Sequence, residues 1–142
     1  MEVLGKYKCE TENDTTKLAN KFSSHVKANT IIYLTGNLGS GKTYFVKSLA
    51  KNFDIQNISS STYSYISTYH GILNLIHCDF YRLDGKSEIV FDEVIENLIN
   101  PWLLIIEWPI NTLSIPCNYC YQIDINRTPN NTRIYKISSL DY

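Results

Sequence analysis

The residues with the clearest chemical meaning lie at 36–43, where GNLGSGKT matches the pattern G-x-x-x-x-G-K-[ST]. Glycines permit positive φ angles, so the backbone N–H groups of such a loop can wrap round phosphate oxygens. Its lysine reaches the β- and γ-phosphates, and its last hydroxyl ligates Mg²⁺. The pattern predicts a P-loop for a nucleoside triphosphate. Its predicted nucleotide-binding residues are Gly36, Asn37, Leu38, Gly39, Ser40, Gly41, Lys42 and Thr43.

Two acids are candidates for the magnesium site, because a P-loop enzyme needs a carboxylate at the end of a neighbouring apolar strand. Glu107 follows the apolar run LLII, and Asp79 follows the less regular run LIHC. An acid at the end of an apolar run is costly to bury unpaired, so a cation nearby is expected. We predict that the metal ligands are Glu107, Asp79 and the Thr43 hydroxyl. We predict that the catalytic groups are Glu107, Asp79 and Lys42. The alternative for either acid is a surface position at a strand end.

Three further side chains near these acids have two interpretations each. Arg82 either stabilises phosphate charge or pairs with Asp84 on the surface. His77 is a candidate for catalysis, although a histidine in a strand is more often structural. Trp108 is either a core residue or a wall of the site.

Four cysteines are present, and Cys117 and Cys120 form a single C-x-x-C. A zinc site would need two more ligands nearby. Cys9 and Cys78 are far apart in the sequence, and neither is part of a second C-x-x-C. The pattern favours reduced, structural thiols over metal or redox chemistry.

The elements that must position these groups follow from hydrophobic periodicity and turn residues. Helices are predicted at 13–27, with Asn13 or Asp14 as N-cap, and at 42–53 and 88–98. Strands are predicted at 6–10, 30–35, 64–70, 73–80, 103–107, 119–126 and 133–138. The glycine-rich segment thus lies between a strand and a helix, which is the context that the P-loop pattern requires.

This order of elements predicts an α/β fold of the P-loop NTPase-like, three-layer type. Its sheet is expected to be mixed, parallel at the centre and antiparallel at the edges. The length of 142 residues predicts one domain over residues 1–142. With 44% hydrophobic residues and a net charge of −1, the chain is neither disordered nor a typical stand-alone nucleic-acid binder. A polar N-terminus and short apolar runs lead us to expect a cytoplasmic protein without a membrane span.

Four segments together resemble the TsaE (formerly YjeE) family of small bacterial P-loop ATPases. They are GNLGSGKT at 36–43, SSTYSY at 60–65, HCDFYRL at 77–83 and IIEWP at 105–109. The resemblance implies an ATP- and Mg²⁺-dependent ATPase, weak alone, that works with TsaD and TsaB in making threonylcarbamoyladenosine on tRNAs that read ANN codons. It implies contact with tRNA only through that complex, and no membrane. Carried across by motif, the functional positions are Lys42, Thr43, Thr62, Asp79, Glu107 and Trp108.

The chain departs from the family pattern at two positions. Asn37 stands where the family usually has Asp, which removes a negative charge near the phosphates. Ser61 stands where the family usually has Pro, so φ is no longer fixed in the loop before Thr62. Neither change removes a residue on which the P-loop and magnesium arguments depend, and both bear on the rate of hydrolysis.

Two other functions fit the P-loop pattern. A small-molecule kinase would usually carry a lid with arginines, whereas this chain has only Arg82, Arg127 and Arg133 and no long insertion. A non-catalytic, nucleotide-gated binding module would bind ATP without turnover. A GTPase is disfavoured because no N-K-x-D guanine motif occurs.

Overall fold

The computed structural model describes residues 2–37, 39–58, 65–81, 87–108 and 115–140. The strands are β1 Glu2–Cys9, β2 Thr30–Thr35, β3 Ile66–Tyr69, β4 Asn74–Asp79, β5 Trp102–Glu107, β6 Tyr119–Arg127 and β7 Arg133–Ser139. The helices are α1 Glu12–Phe22, α2 Lys42–Ala50 and α3 Ser87–Asn97, with short 3-10 turns at Ser23–His25 and Lys51–Phe53. All predicted strands and helices are confirmed: β2 has the predicted ends, and the other elements have at least one shifted end. The predictions for Leu38, Ser61, Thr62, Arg82 and Asp84 lie outside the described residues.

The predicted start and end of α1 are wrong. Thr11 is the N-cap, and its Oγ1 accepts a hydrogen bond from Asp14 N at 3.1 Å. Asp14 Oδ2 in turn accepts from Thr11 N at 3.2 Å, which completes a capping box. Backbone N–H groups of Glu10 and Thr11 lower the pKa of Asp14 from its usual value. The helix ends at Phe22 because Ser23 Oγ bonds back to Asn20 O at 2.6 Å and the chain tightens into a 3-10 turn.

The described strands form a sheet in the order β1-β7-β6-β2-β5-β4-β3. Strands β6, β2, β5 and β4 are parallel, and the outer pairs are antiparallel. The predicted mixed sheet is therefore confirmed. The four parallel strands all end at one edge, which we call the carboxyl edge, and the segment at 36–43 leaves β2 there. In open sheets of this kind, ligands bind at this edge.

Helices on both faces of the sheet give three layers. On one face, α1 and α2 bury Phe22, Phe45 and Leu49 against the sheet residues Leu34 and Ile105. On the other face, Val94 of α3 packs into a cluster with sheet residues that include Ile31, Leu104 and Ile106. Each fully buried aliphatic side chain contributes about 1.5–3 kcal/mol, so alternate residues of β2 and β5 stabilise both layers. Among the helices of the described residues, none is long and apolar enough to cross a membrane.

Candidate functional site

Three glycines in the segment at 36–43, Gly36, Gly39 and Gly41, have positive φ angles, and two of them also leave no room for a side chain. A Cβ on Gly36 would lie 2.6 Å from Ser40 Oγ and 2.7 Å from Ile125 O, so any side chain there would collide with the loop and with β6. Gly41 has φ +103 and is the N-cap of α2, where a Cβ would lie 2.8 Å from Arg133 Nε. The backbone therefore folds back closely on itself before α2 begins.

Lys42 is the first residue of α2, and only 6% of it is exposed. Its Nζ donates hydrogen bonds to Gly36 O at 2.6 Å and Asn37 O at 3.1 Å, so the ammonium closes across the turn. The same atom lies 4.5 Å from the centre of the Trp108 ring, within the range of a cation–π contact. Burial lowers the pKa of Lys42, and the negative charges of Glu107 and Asp79 oppose that shift.

Glu107 is the last residue of β5 and is 3% exposed, so it is not a surface acid. Its Oε2 lies 2.6 Å from Nε2 of His77, which is 7% exposed on the neighbouring strand β4. When Nε2 carries the proton, His77 donates to the carboxylate and fixes its direction. His77 thus belongs to the same group of side chains as Glu107.

Asp79 ends β4 opposite Glu107 in the parallel register, and it is half-buried. Its Oδ1 accepts a hydrogen bond from Tyr81 N at 3.1 Å. The Tyr81 ring lies 4.8 Å from the Trp108 ring. The carboxyl edge therefore carries two carboxylates, one from each of two adjacent strands, beside a pair of aromatic rings.

Trp108 follows β5 directly and takes a left-handed backbone conformation with φ +55. Such a conformation is uncommon for a bulky residue and persists only where the surroundings hold it. Here the Trp108 N–H donates to Leu34 O at 3.3 Å, and the ring covers Lys42 Nζ. Of the two interpretations of Trp108, the geometry matches a wall of the site, although the ring also packs against the core.

The donor set suits an oxyanion and a hard cation. Ser40 Oγ is buried and makes no hydrogen bond within the described part of the chain, whereas buried hydroxyls normally have a partner. Two carboxylates and a hydroxyl, from Glu107, Asp79 and Thr43, are the oxygen ligands that Mg²⁺ takes together with waters and phosphates. No cluster of three or more His, Cys, Asp or Glu with metal-binding geometry occurs in the described ranges.

Two arginines that the sequence does not indicate as site residues also lie at this site. Arg133 Nε donates to Ser40 O at 2.9 Å. Arg127 Nη1 lies 3.8 Å from the position that a Cβ would take on Gly39. Both flank the turn between β6 and β7, and their place beside the loop depends on the pairing of β6 with β2. That pairing joins residues about 90 positions apart, so no local signal in the sequence points to it.

The four cysteines are divided between the two ends of the sheet: Cys78 lies between His77 and Asp79 on β4, and Cys9 is the cross-strand partner of Arg133. Cys117 and Cys120 are at the amino end of β6, opposite the carboxyl edge. Cys9, Cys78 and Cys120 are buried, and none of the four is in a disulfide. Burial raises the pKa of the Cys9, Cys78 and Cys117 thiols, which makes the reactive thiolate scarcer.

Comparisons with known proteins place the chain in a family. Residues 9–135 match the family model described as "Threonylcarbamoyl adenosine biosynthesis protein TsaE". The protein named tRNA threonylcarbamoyladenosine biosynthesis protein TsaE from Aquifex aeolicus is 34% identical over 96% of this chain and 99% of its own length. The protein of the same name from Rickettsia conorii is 32% identical over 89% of this chain and 74% of its own.

A solved structure supports the same relationship. The crystal structure of Bacillus subtilis YdiB superposes with a TM-score of 0.76 and 25% identity. The match covers 99% of this chain and 89% of the other. Because the family model spans most of the sequence and the Aquifex aeolicus relative matches nearly end to end, this chain is a member of the TsaE family.

Proposed function

We propose that this protein binds ATP at the carboxyl edge and hydrolyses it with Mg²⁺, in support of threonylcarbamoyladenosine formation on tRNA. The observation that carries the proposal is the buried Lys42 ammonium, held across the turn at 36–43 with the carboxylates of Glu107 and Asp79 nearby. A buried ammonium is costly unless it has strong partners. Phosphate oxygens are better partners than the two carbonyl groups that Lys42 contacts here.

Each residue has a role that follows from its position. Lys42 leaves Gly36 O and Asn37 O to bind the β- and γ-phosphates, and the backbone N–H groups at the start of α2 face the same anion. Thr43, Glu107 and Asp79 would hold Mg²⁺, directly or through water. When bound, Mg²⁺ neutralises charge on the phosphates. His77 keeps the Glu107 carboxylate in one orientation, and Trp108 shields the lysine from bulk water.

The biological role rests on the family. The relatives from Aquifex aeolicus and Rickettsia conorii are named for tRNA threonylcarbamoyladenosine biosynthesis. We infer that this chain serves the same modification on tRNAs that read ANN codons. It would act with TsaD and TsaB, with ATP turnover resetting the complex and not carrying out the transfer itself.

The test is ATP hydrolysis with Mg²⁺, measured for this protein alone and then with TsaD and TsaB from the same source. We expect slow turnover alone and a sharp rise with both partners, and the rise should disappear in Glu107→Gln. Turnover that appears only with a small-molecule phosphate acceptor would replace the proposal with a kinase. Bound ATP without turnover in either mixture would leave a nucleotide-gated module, and Asn37 would be the first position to restore to Asp.

A further inference from the structure

The hairpin of β6 and β7 brings two arginines to the carboxyl edge. Strand β6 runs parallel to β2, so its last residue, Arg127, arrives beside the loop that leaves β2. Arg133 begins β7 and is the cross-strand partner of Arg127. Residues that face each other in an antiparallel pair project on the same side of the sheet. The antiparallel pairing of β6 with β7 therefore places the two arginine side chains next to each other.

The turn between these arginines is closed by its own hydrogen bonds. Thr128 N donates to Thr132 O at 2.7 Å, and Asn131 N donates to Thr128 O at 3.0 Å. Thr132 N donates to Thr128 Oγ1 at 3.2 Å. Because backbone and side-chain hydrogen bonds both close this turn, the turn restricts the backbone positions of Arg127 and Arg133.

The hairpin is also tied to the residue that precedes the loop. Thr35, which ends β2, donates its hydroxyl hydrogen to Asp124 Oδ1 on β6. Gln122 Nε2 donates to the same oxygen at 3.0 Å. The loop at 36–43 is thus fixed to β6 just before it begins, and Arg133 holds it again at Ser40.

The bond from Arg133 Nε to Ser40 O has a consequence for the next N–H group. The peptide unit between Ser40 and Gly41 is planar, and in a trans peptide its C=O and N–H point in opposite directions. Holding Ser40 O towards Arg133 therefore aims the Gly41 N–H away from Arg133. Backbone N–H groups held in one direction are what a phosphate-binding loop requires.

We propose that Arg133 is a positioning residue that holds the loop in its anion-binding shape, and that Arg127 adds a positive charge for the phosphate tail of the nucleotide. The proposal rests on the proposed function, since it names further groups for the same nucleoside triphosphate. The two arginines act by different physics. Arg133 acts through a directional bond from Nε, which lysine cannot reproduce, whereas Arg127 acts through charge, which lysine keeps.

The experiment compares ATP affinity without Mg²⁺, measured by calorimetry, for the wild type and the variants Arg133→Gln, Arg133→Lys, Arg127→Gln and Arg127→Lys. We expect Arg133→Gln and Arg133→Lys each to weaken binding about tenfold or more, the value of one charge-assisted hydrogen bond. Arg127→Gln should weaken binding a few-fold, by about the worth of an exposed charge contact, and Arg127→Lys should restore it. Lys47→Gln, an exposed charge on α2, is the matched control and should bind as the wild type does.

Thermal unfolding of each variant separates positioning from general stability. Weaker binding with an unchanged Tm supports the proposal, and so does failure of Arg133→Lys to rescue. Wild-type affinity in both Arg133→Gln and Arg127→Gln would overturn it while leaving the proposed function standing. If Arg133→Gln does not fold, Arg133→Lys replaces it, and wild-type affinity in Arg133→Lys contradicts the positioning role just as wild-type affinity in Arg127→Gln contradicts the charge role. A wild-type protein that does not bind ATP would overturn the inference and the proposed function together.

Discussion

The two ends of the parallel strands differ in the groups that are buried there and in the bonds that hold them. At the amino ends, backbone groups close the structure: Asn29 N donates to Trp102 O at 2.8 Å, and Asn74 N donates to Pro101 O at 2.7 Å. At the carboxyl edge, side chains of opposite charge are buried side by side. Among the described Lys, Arg, His, Asp and Glu residues, the buried ones are Lys42, His77 and Glu107, and all three belong to this edge.

The difference indicates which part of the molecule contributes less to the free energy of unfolding. Buried ionisable groups need partners, and a core of similar volume made of apolar side chains is often more stable. The strands β2 and β5 are such a core along their length, with Ile31, Ile32, Leu103 and Leu104 fully buried. The buried ionisable groups are confined to the strand ends, which is the distribution expected if the proposed nucleotide site, and not the stability of the fold, requires them.

The largest effect is expected from Lys42→Ala. Removal of the ammonium takes away the charge-assisted bonds to two phosphates, so ATP affinity should fall about a hundredfold or more. The measurement is the Kd for ATP by calorimetry, with the exposed Lys47→Ala on the same helix as control. Equal affinities for the two variants would mean that the carboxyl edge is not the nucleotide site.

The next effect concerns turnover. Glu107→Gln and Glu107→Ala should keep ATP bound in the absence of Mg²⁺ but lose hydrolysis about a hundredfold or more, because the metal and its water lose their anionic ligand. The rate with TsaD and TsaB present is the quantity to measure. Glu96→Gln, an exposed acid on α3, serves as control and should keep the wild-type rate. Normal hydrolysis by the Glu107 variants would refute the assignment of Glu107 to the metal.

A smaller effect is expected from His77, because its role in the proposed site is to orient the Glu107 carboxylate. His77→Ala should lower turnover about tenfold, the usual cost of losing a group that orients a metal ligand. His77→Gln retains an N–H donor near the Nε2 position, so it should recover part of the rate. His70, exposed beside the β3–β4 turn, is the control for histidine removal. An unchanged rate in His77→Ala would show that the 2.6 Å contact has no part in catalysis.

The smallest effect on binding is expected from the apolar part of β5. Leu104→Ala should lower the free energy of unfolding by about 2–5 kcal/mol, since Leu104 is fully buried. ATP affinity of the folded variant should remain that of the wild type, as measured well below its Tm. Ile72→Ala, exposed in the β3–β4 turn, should change neither quantity. A large loss of affinity in folded Leu104→Ala would mean that the core and the carboxyl edge are not energetically separate.

The sequence predicts the elements that depend on neighbours along the chain. The apolar run at 30–35 marks β2 with the ends that the structure has. The acid after LLII marks Glu107 as a carboxylate that needs a cation nearby, and Glu107 is indeed buried close to Lys42. The sequence also contains the signal for the capping box of α1, because Thr11 and Asp14 have the spacing of that motif. The prediction instead placed the cap within the helix, at residues that lie in its first turn.

The remaining features depend on which strands become neighbours. His77 meets Glu107 only because β4 pairs with β5, and Arg133 meets Ser40 only because β7 follows β6 beside β2. Such pairings are set by the summed packing of the sheet and not by local propensity. A single strand position therefore gives no sign of the partner its side chain will meet.

Two tryptophan side chains allow the two ends of the parallel strands to be compared in one experiment. The protein has two tryptophans, Trp102 at the amino end of β5 and Trp108 just beyond its carboxyl end. The most direct test follows the indole N–H signals of both by NMR during addition of ATP and Mg²⁺ to the wild-type protein. Binding at the carboxyl edge predicts a large shift of the Trp108 signal and little change at Trp102. Saturable binding that moves Trp102 and leaves Trp108 in place would contradict the assignment of the nucleotide site.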